Sequence, residues 1–136
     1  MSNAGNHPPK RILFVCVENS CRSQIAEAFA RIHGAGLIEA HSAGSRPSGR
    51  VNPMAIKLMK ERGYDLGSHI SKSLDEIPAV EFDVAVTVGC GDACPNVRAH
   101  RREDWQIPDP KQMKPGEFQS VIQLIEEKVR ALIASL

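Results

Sequence analysis

The stretch FVCVENSCRSQIAEAFA, residues Phe14–Ala30, changes character halfway along its length. It completes an apolar, β-branched run that starts at Arg11, and this run predicts a buried strand over Arg11–Val17. From Ser23 onward, apolar residues recur at helical spacing, which predicts a helix that ends at the sequence HGAG. The segment CVENSCR, Cys16–Arg22, is therefore expected to be a loop joining a strand to a helix, and we call it the anion loop.

The residue types in this loop suit a tetrahedral anion. Backbone N–H groups at the start of a helix have no intrahelical partner, and the helix dipole adds partial positive charge there. Arg22 adds a planar fork of donors, and the same field stabilises a nucleophilic thiolate at Cys16. The alternative is that Cys16 is buried packing and Arg22 a surface charge. Cys21 has no evident task, and a packed bystander is favoured over a resolving thiol.

The remaining pattern alternates strands with helices. Such alternation predicts a parallel sheet covered on both faces, with ligands bound beyond the C-terminal ends of the strands. Cys16, Ser42 and Cys90 all fall at or just after such ends. Further strands are predicted over Leu37–Gly44 and Phe82–Val88, helices over Asn52–Gly63 and Phe118–Ile133, a short amphipathic piece over Leu74–Val80, and loop over residues 102–117.

Composition limits the classes of function. The 136 residues carry a formal charge of +1, a field too weak to favour nucleic acid or an acidic membrane as a partner. No apolar run is long enough to span a bilayer, and no export signal is evident, so the cytoplasm is the expected location. Residues 1–9 are polar and Pro-rich, and they are expected to be a disordered leader or an artificial tag. A monomer is the default expectation.

The pattern C-x5-R-S, within the wider match C-x-x-N-S-C-R-S-Q-x-A-E, resembles the low-molecular-weight protein tyrosine phosphatases and the arsenate reductases that share their fold. The resemblance is closer to the reductases, of the thioredoxin-coupled type. It extends over the chain from Arg11 and includes HSAG, NPxAIxxMKExG, SKSLDE and DWxxPDP. The resemblance implies one three-layer α/β catalytic domain, residues 10–136, with a four-stranded parallel sheet flanked by helices.

The resemblance also assigns roles to individual residues. It implies that Ser23 donates a hydrogen bond to the thiolate, that Asn19 braces the loop, and that Asp109 is the general acid, although Asp-Pro alone is typical of a turn. Glu18 stands where the family most often has glycine, and its carboxylate is expected to face solvent, away from the oxyanion. The implied oxyanion-binding residues are Val17, Glu18, Asn19, Ser20, Cys21, Arg22 and Ser23.

A second cysteine pair, in GCGDACP, separates the two activities. A phosphatase needs no further thiols, whereas in the reductases Cys16 would attack arsenate, Cys90 would then attack Cys16, and Cys94 would attack Cys90. The resulting Cys90–Cys94 redox disulfide would be reduced by a thioredoxin-like protein or by a small thiol such as mycothiol. The spacing C-x3-C is shorter than in the best-known reductases, which have six intervening residues. Phosphate is expected to compete with arsenate.

Several alternatives stay open. Cys90 and Cys94 could bind zinc with His100, form a static disulfide, or be incidental, leaving a phosphatase that hydrolyses phosphate monoesters. The absence of a tyrosine after Asp109 counts against a phosphatase, and a redox-sensing module is a third class. Some family members bind potassium, but Lys72 occupies the place of an aspartate ligand and is expected to pair with Glu27. We therefore expect no bound metal and no bound cofactor.

Overall fold

The computed structural model describes residues 8–89 and 97–136. Its sheet contains four parallel strands in the order β2-β1-β3-β4. The strands are β1 (Lys10–Cys16), β2 (Ile38–Gly44), β3 (Phe82–Val88) and β4 (Ala99–Trp105), and the helices are α1 (Arg22–His33), α2 (Pro53–Glu61) and α3 (Pro115–Ala134). The prediction of an α/β fold with a four-stranded parallel sheet flanked by helices is confirmed.

The alternation of side chains along β1 divides the core. Ile12 and Phe14 belong to a large apolar cluster that also contains side chains of α1, α2 and α3. Leu13 and Val15 point to the opposite face, as successive strand residues must, and they pack in a smaller cluster with Phe82. Both faces of β1 are therefore buried from Ile12 onward, which is why its sequence is apolar from that residue to its end.

Two helices follow the signals seen in the sequence. The Asn52 side chain accepts hydrogen bonds from the backbone N–H groups of Met54 (2.8 Å) and Ala55 (3.1 Å), so it caps α2 as predicted. Pro53 occupies the first position of that helix. The apolar stripe of α3 is buried along Phe118, Val121, Ile122, Ile125, Val129 and Leu132.

The prediction of loop over residues 102–117 is wrong at both ends, and residues 115–117 belong to α3. Residues 102–105 belong to β4, whose sequence AHRREDW is mostly exposed and buries only Trp105. Because β4 is an edge strand with polar side chains, it lacks the apolar run that marked the other strands. In the predicted amphipathic piece 74–80, the structure has one 3₁₀ turn, Leu74–Glu76.

Two sequence predictions concern the chain outside the sheet. The predicted leader lies largely outside the described residues, and β1 begins at Lys10, directly after it. Within the described ranges, no helix has both the length and the apolar character needed to cross a bilayer.

Candidate active site

The site forms where β1 ends and α1 begins. Cys16 is the last residue of β1, lies beside Gly44 of β2, and is only 3% exposed. A Cβ atom at Gly44 would lie 2.5 Å from the carbonyl oxygen of Val17, so only glycine fits beside the anion loop at this point. The strand ends therefore bring the predicted nucleophile to the C-terminal edge of the sheet. Cys90 and Cys94, the other predicted thiols, lie outside the described residues.

The Cys16 sulfur has a hydroxyl partner whose orientation is fixed. Its Sγ lies 2.9 Å from the Ser23 Oγ, and the Asn19 Nδ2 donates to the same Oγ at 2.9 Å. Because Ser23 accepts from Asn19, its own proton is available for Cys16, and the sulfur then acts as the acceptor. The Ser23 hydroxyl is thus positioned to donate a hydrogen bond to the sulfur of Cys16.

Asn19 is itself held from behind. It adopts a left-handed conformation with φ of 48°, and its Oδ1 accepts from the Gln24 Nε2 (2.9 Å) and the Lys72 backbone N–H (2.9 Å). The predicted bracing role of Asn19 agrees with this geometry. Gln24 was not predicted, although its position in the first turn of α1, two residues after the loop, is a sequence signal for a bracing residue, and the structure buries it completely.

A hydrogen-bonded chain continues from Gln24 to the surface. The His69 Nδ1 lies 2.9 Å from the Gln24 Oε1, and the Tyr64 hydroxyl lies 2.6 Å from the His69 Nε2. Since the Gln24 Oε1 can only accept, His69 carries its proton on Nδ1, and Tyr64 donates to Nε2. Burial lowers the pKa of His69, and this outweighs the nearby Glu27 carboxylate. The imidazole is therefore neutral at pH 7.

The lowered pKa of His69 predicts how stability depends on pH. The unfolded chain, in which the pKa returns to about 6.5, binds more protons than the folded chain, so the free energy of unfolding falls as pH drops through 6.5. His69→Gln is expected to flatten this dependence between about pH 7 and pH 5, measured by urea unfolding. His100→Gln is the matched control, because the His100 side chain is 65% exposed. Equal slopes in wild type and His69→Gln would contradict the assignment.

Arg22 connects the anion loop to two other segments. Its Nη1 donates to the carbonyl oxygens of Gly89 (3.1 Å) and Ile107 (2.9 Å), while its Nη2 lies 3.8 Å from the Asp109 Oδ2. Gly89 has φ of 75°, and a Cβ atom there would clash with the guanidinium. Arg22 is therefore not a free surface charge, and its guanidinium is oriented by backbone carbonyls.

Asp109 is both a turn residue and a lining residue of the site cavity. Its Oδ1 accepts from the Lys111 backbone N–H at 3.0 Å, as expected for a turn residue, and its side chain is 54% exposed. It also borders a cavity of about 280 Å³ at the end of β1. The cavity is lined by Cys16, Val17, Glu18, Ser20, Cys21, Arg22, Asn52, Asp109 and Lys111.

The cavity divides the predicted oxyanion-binding residues into two groups. Val17, Glu18, Ser20, Cys21 and Arg22 line it, whereas Asn19 and Ser23 are completely buried and support the loop. Asn52 and Lys111 were not predicted as site residues. The sequence marked Asn52 only as a cap, and no pattern in it linked position 111 to the anion loop.

Cys21 fits the role of a packed bystander. Its side chain is 7% exposed and belongs to the main apolar cluster. Burial raises the pKa of the Cys21 thiol well above its usual range, and the negative charges of Cys16 and Asp109 raise it further. Cys21 therefore stays protonated and is a poor nucleophile.

The first turn of α1 has no cap of the ordinary kind. No side chain in the described part of the chain caps this helix, and no acidic residue lies in its first turn. The adjacent α2, by contrast, has the Asn52 cap. The N–H groups at the start of α1 are thus left for an anion in the cavity.

The ion pair around Glu27, near the position where some family members bind potassium, differs from the predicted one. The buried Glu27 carboxylate accepts from the Ser42 Oγ (2.5 Å) and pairs with the Arg31 Nη2 (2.7 Å). Lys72 Nζ instead donates to the carbonyl oxygen of Ile70 at 3.0 Å. The predicted Lys72–Glu27 pair is wrong, because Arg31 lies one helical turn from Glu27 and forms the ion pair with its carboxylate. No group of three potential metal ligands occurs among the described residues.

Most of the chain matches the sequence model of one protein family. Residues 11–136 match the model described as low molecular weight phosphotyrosine protein phosphatase. The chain belongs to this family. Cys16, Arg22 and Asp109, the three residues to which the family resemblance assigned roles, line a single cavity.

Several similar proteins and solved structures are named as arsenate reductases. The chain is 40% identical to a glutaredoxin arsenate reductase of Synechocystis, covering 93% of this chain and 98% of the relative, and 40% identical to arsenate reductase 1 of Staphylococcus epidermidis, covering 82% and 86%. An arsenate reductase structure in the phosphate binding state superposes with a TM-score of 0.85 at 40% identity, covering 93% of this chain and 98% of that chain. A thioredoxin-dependent arsenate reductase of Corynebacterium glutamicum gives a TM-score of 0.77 at 31% identity, covering 94% of this chain and 62% of that chain.

Proposed function

We propose that the protein is an arsenate reductase that converts arsenate to arsenite with electrons from its own thiols. The observation that carries the proposal is the oriented Ser23–Cys16 pair at the floor of a cavity that Arg22 and Asp109 border. Similarity to arsenate reductases over almost the whole chain supports the choice of substrate.

In the first half of the reaction, the Cys16 thiolate attacks the arsenic atom of arsenate. A sulfur–arsenic bond forms, one arsenic–oxygen bond breaks, and Asp109 protonates the departing oxygen, which leaves as water. Arg22 and the N–H groups of the anion loop bind the remaining oxygens. Arsenic stays in the +5 state in this thio-arsenate adduct.

In the second half, Cys90 attacks the Cys16 sulfur. The sulfur–arsenic bond breaks, its electron pair stays on arsenic, and arsenite leaves with arsenic in the +3 state. Cys94 then attacks the Cys90 sulfur and releases the Cys16 thiolate. Two thiols are oxidised to one disulfide, which balances the two electrons gained by arsenic.

The position of Gly89 supports the choice of Cys90 as the attacking thiol. Gly89 directly precedes Cys90 in the sequence, and its carbonyl oxygen accepts a hydrogen bond from Arg22. The residue that directly precedes the second cysteine pair therefore lies beside the anion site. The alternative of a zinc site at Cys90, Cys94 and His100 leaves this pair without a part in the chemistry.

The reductant is proposed to be a thioredoxin-like protein, with a small thiol as the alternative. One similar structure is named as thioredoxin-dependent and one similar protein as a glutaredoxin arsenate reductase, and both names point to a small redox protein as the donor. A relay of reduced thiols needs a reducing compartment, which supports the cytoplasm as the location.

The relay is tested by supplying arsenate with thioredoxin, thioredoxin reductase and NADPH, and following NADPH loss. Wild type is expected to turn over, whereas Cys90→Ser and Cys94→Ser are each expected to lose at least about 1,000-fold. Cys90→Ser should still form the Cys16 adduct and stop there. Repeating the assay with a small thiol and its own NADPH-dependent disulfide reductase, in place of thioredoxin and thioredoxin reductase, identifies the donor.

The outcomes separate the alternatives. Brisk hydrolysis of an aryl phosphate, without any arsenate-dependent NADPH loss under either donor, would overturn the reductase proposal and identify a phosphatase. Full turnover in Cys94→Ser would remove the third thiol from the relay and leave a transferase-like reaction in which a small thiol completes the exchange. Stoichiometric zinc in the purified protein would contradict free thiols at Cys90 and Cys94.

A further inference from the structure

Two oppositely charged, exposed side chains that line the site cavity form an ion pair. The Glu18 Oε2 lies 3.4 Å from the Lys111 Nζ, although the two residues are 93 positions apart in the sequence. Glu18 belongs to the anion loop and Lys111 follows the proposed acid, Asp109. Both line the cavity, and the proposed chemistry uses neither of the two side chains.

The main chain under each partner is fixed, while the charged ends are exposed. The carbonyl oxygen of Glu18 accepts from the Ser48 N–H (3.0 Å) and the Ser71 Oγ (3.0 Å). The Lys111 N–H donates to the Asp109 Oδ1 at 3.0 Å. The side chains of Glu18 and Lys111 are 46% and 57% exposed, whereas Cys16 is 3% exposed. The pair therefore lies at the rim and the thiol at the floor.

The charges of the pair determine what it can do. Alone, the Glu18 carboxylate would repel an incoming oxyanion, but Lys111 neutralises it, so the pair adds no net charge at the entrance. An exposed ion pair also contributes little to the stability of the fold, and it opens readily. Its physical effect is therefore to occupy space between the anion loop and the acid-bearing segment.

That space is where a leaving group must pass. The oxygen that departs receives its proton from Asp109, so any group attached to that oxygen projects past Lys111, two residues further on. In free arsenate or phosphate, the departing oxygen carries only a proton. In an aryl phosphate it carries a ring, which must displace the Lys111 ammonium from Glu18.

We propose that Glu18 and Lys111 form a clasp that admits free tetrahedral oxyanions and disfavours phosphate esters with an aromatic group. The clasp deepens the proposed function, on which it rests, because it assigns the preference for an inorganic substrate to two residues outside the reacting centre. Glu18 and Lys111 are thus specificity-determining residues.

The test compares two anions at equilibrium. Binding of inorganic phosphate and of phenylphosphonate, which cannot be hydrolysed, is measured by calorimetry on the reduced protein. Glu18→Gln and Lys111→Ala are each expected to raise affinity for phenylphosphonate relative to phosphate by about fivefold, the upper limit set by the cost of opening an exposed ion pair. The charge-swapped double variant, Glu18→Lys with Lys111→Glu, re-forms the pair and is expected to restore the wild-type ratio to within about twofold. Lys114→Ala, a nearby lysine that does not line the cavity, is the matched control.

Three results would overturn the clasp. Unchanged affinity ratios in both single variants would show that the pair excludes nothing. Equal weakening of both anions in Lys111→Ala would make Lys111 a general anion-binding residue. A double variant that fails to restore the ratio would show that the pairing itself has no role. Because binding is measured without arsenate turnover, the clasp and the proposed reductase activity can fail independently. Melting temperatures within about 3 °C of wild type confirm that the variants fold.

Discussion

Cys16→Ser is expected to abolish arsenate reduction, with a loss of at least about 10⁴-fold, because no other described thiol can replace the nucleophile. Cys16 and Cys21 are both buried cysteines of one loop, so they form a matched pair. Only Cys16 has an oriented hydroxyl beside its sulfur. Cys21, kept protonated by its raised pKa, has no comparable partner among the described hydrogen bonds.

The matched variant is Cys21→Ala, which is expected to keep arsenate reduction within about threefold of wild type and to lose about 1 kcal/mol of stability from the small void left in the core. Alkylation by iodoacetamide, mapped by mass spectrometry, should modify Cys16 and not Cys21, and phosphate should protect Cys16. A Cys21→Ala protein that folds but loses activity as completely as Cys16→Ser would contradict these roles.

Arg22→Lys is expected to lower kcat/KM for arsenate by about 100- to 1,000-fold, although the positive charge remains. One guanidinium nitrogen of Arg22 already serves the carbonyls of Gly89 and Ile107, and the planar fork leaves other donors for the substrate. A lysine ammonium is a single point of charge and cannot bind both carbonyls and an oxyanion in the same geometry.

Calorimetric binding of phosphate by Arg22→Lys should weaken in parallel with the loss of kcat/KM. The control is Arg46→Lys, which makes the same change in an exposed arginine whose backbone N–H bonds the Val17 carbonyl at the edge of the anion loop. If Arg22→Lys were within about threefold of wild type, the fork geometry would have no part in catalysis.

The predictable part of the site is the part that is local in sequence. The strand, the anion loop and the helix are consecutive, so their periodicity and residue types predict the Cys16 environment directly. Family resemblance then added Asp109 and the bracing role of Asn19. The Cys16 environment thus depends on short-range geometry, whereas the position of Asp109 came from the resemblance, because no local pattern places it near the anion loop.

The parts that the sequence did not predict depend on long-range contacts. Arg22 contacts the carbonyl oxygen of Ile107, 85 positions away, and Lys111 contacts Glu18, 93 positions away. Contacts at such separations produce no periodic pattern in the sequence. The Lys72–Glu27 prediction failed because Arg31, on the same helix as Glu27, forms the ion pair instead. The sequence alone does not show which of the two cations lies nearer to the carboxylate. The edge strand β4 was missed because exposure on an edge removes the apolar signal.

The uncapped start of α1 has a thermodynamic consequence. A missing cap costs a helix about 1 kcal/mol, and here a bound oxyanion would supply the hydrogen bonds that Asn52 supplies to α2. The substrate is then also a structural ligand, and linkage requires the folded state to be stabilised by whatever oxyanion occupies the loop, by about 2.7 kcal/mol at a hundred times its Kd. Phosphate or arsenate bound in the loop would therefore raise the stability of the protein with its concentration, and competition between the two anions for the site would also be a competition to complete the first turn of α1.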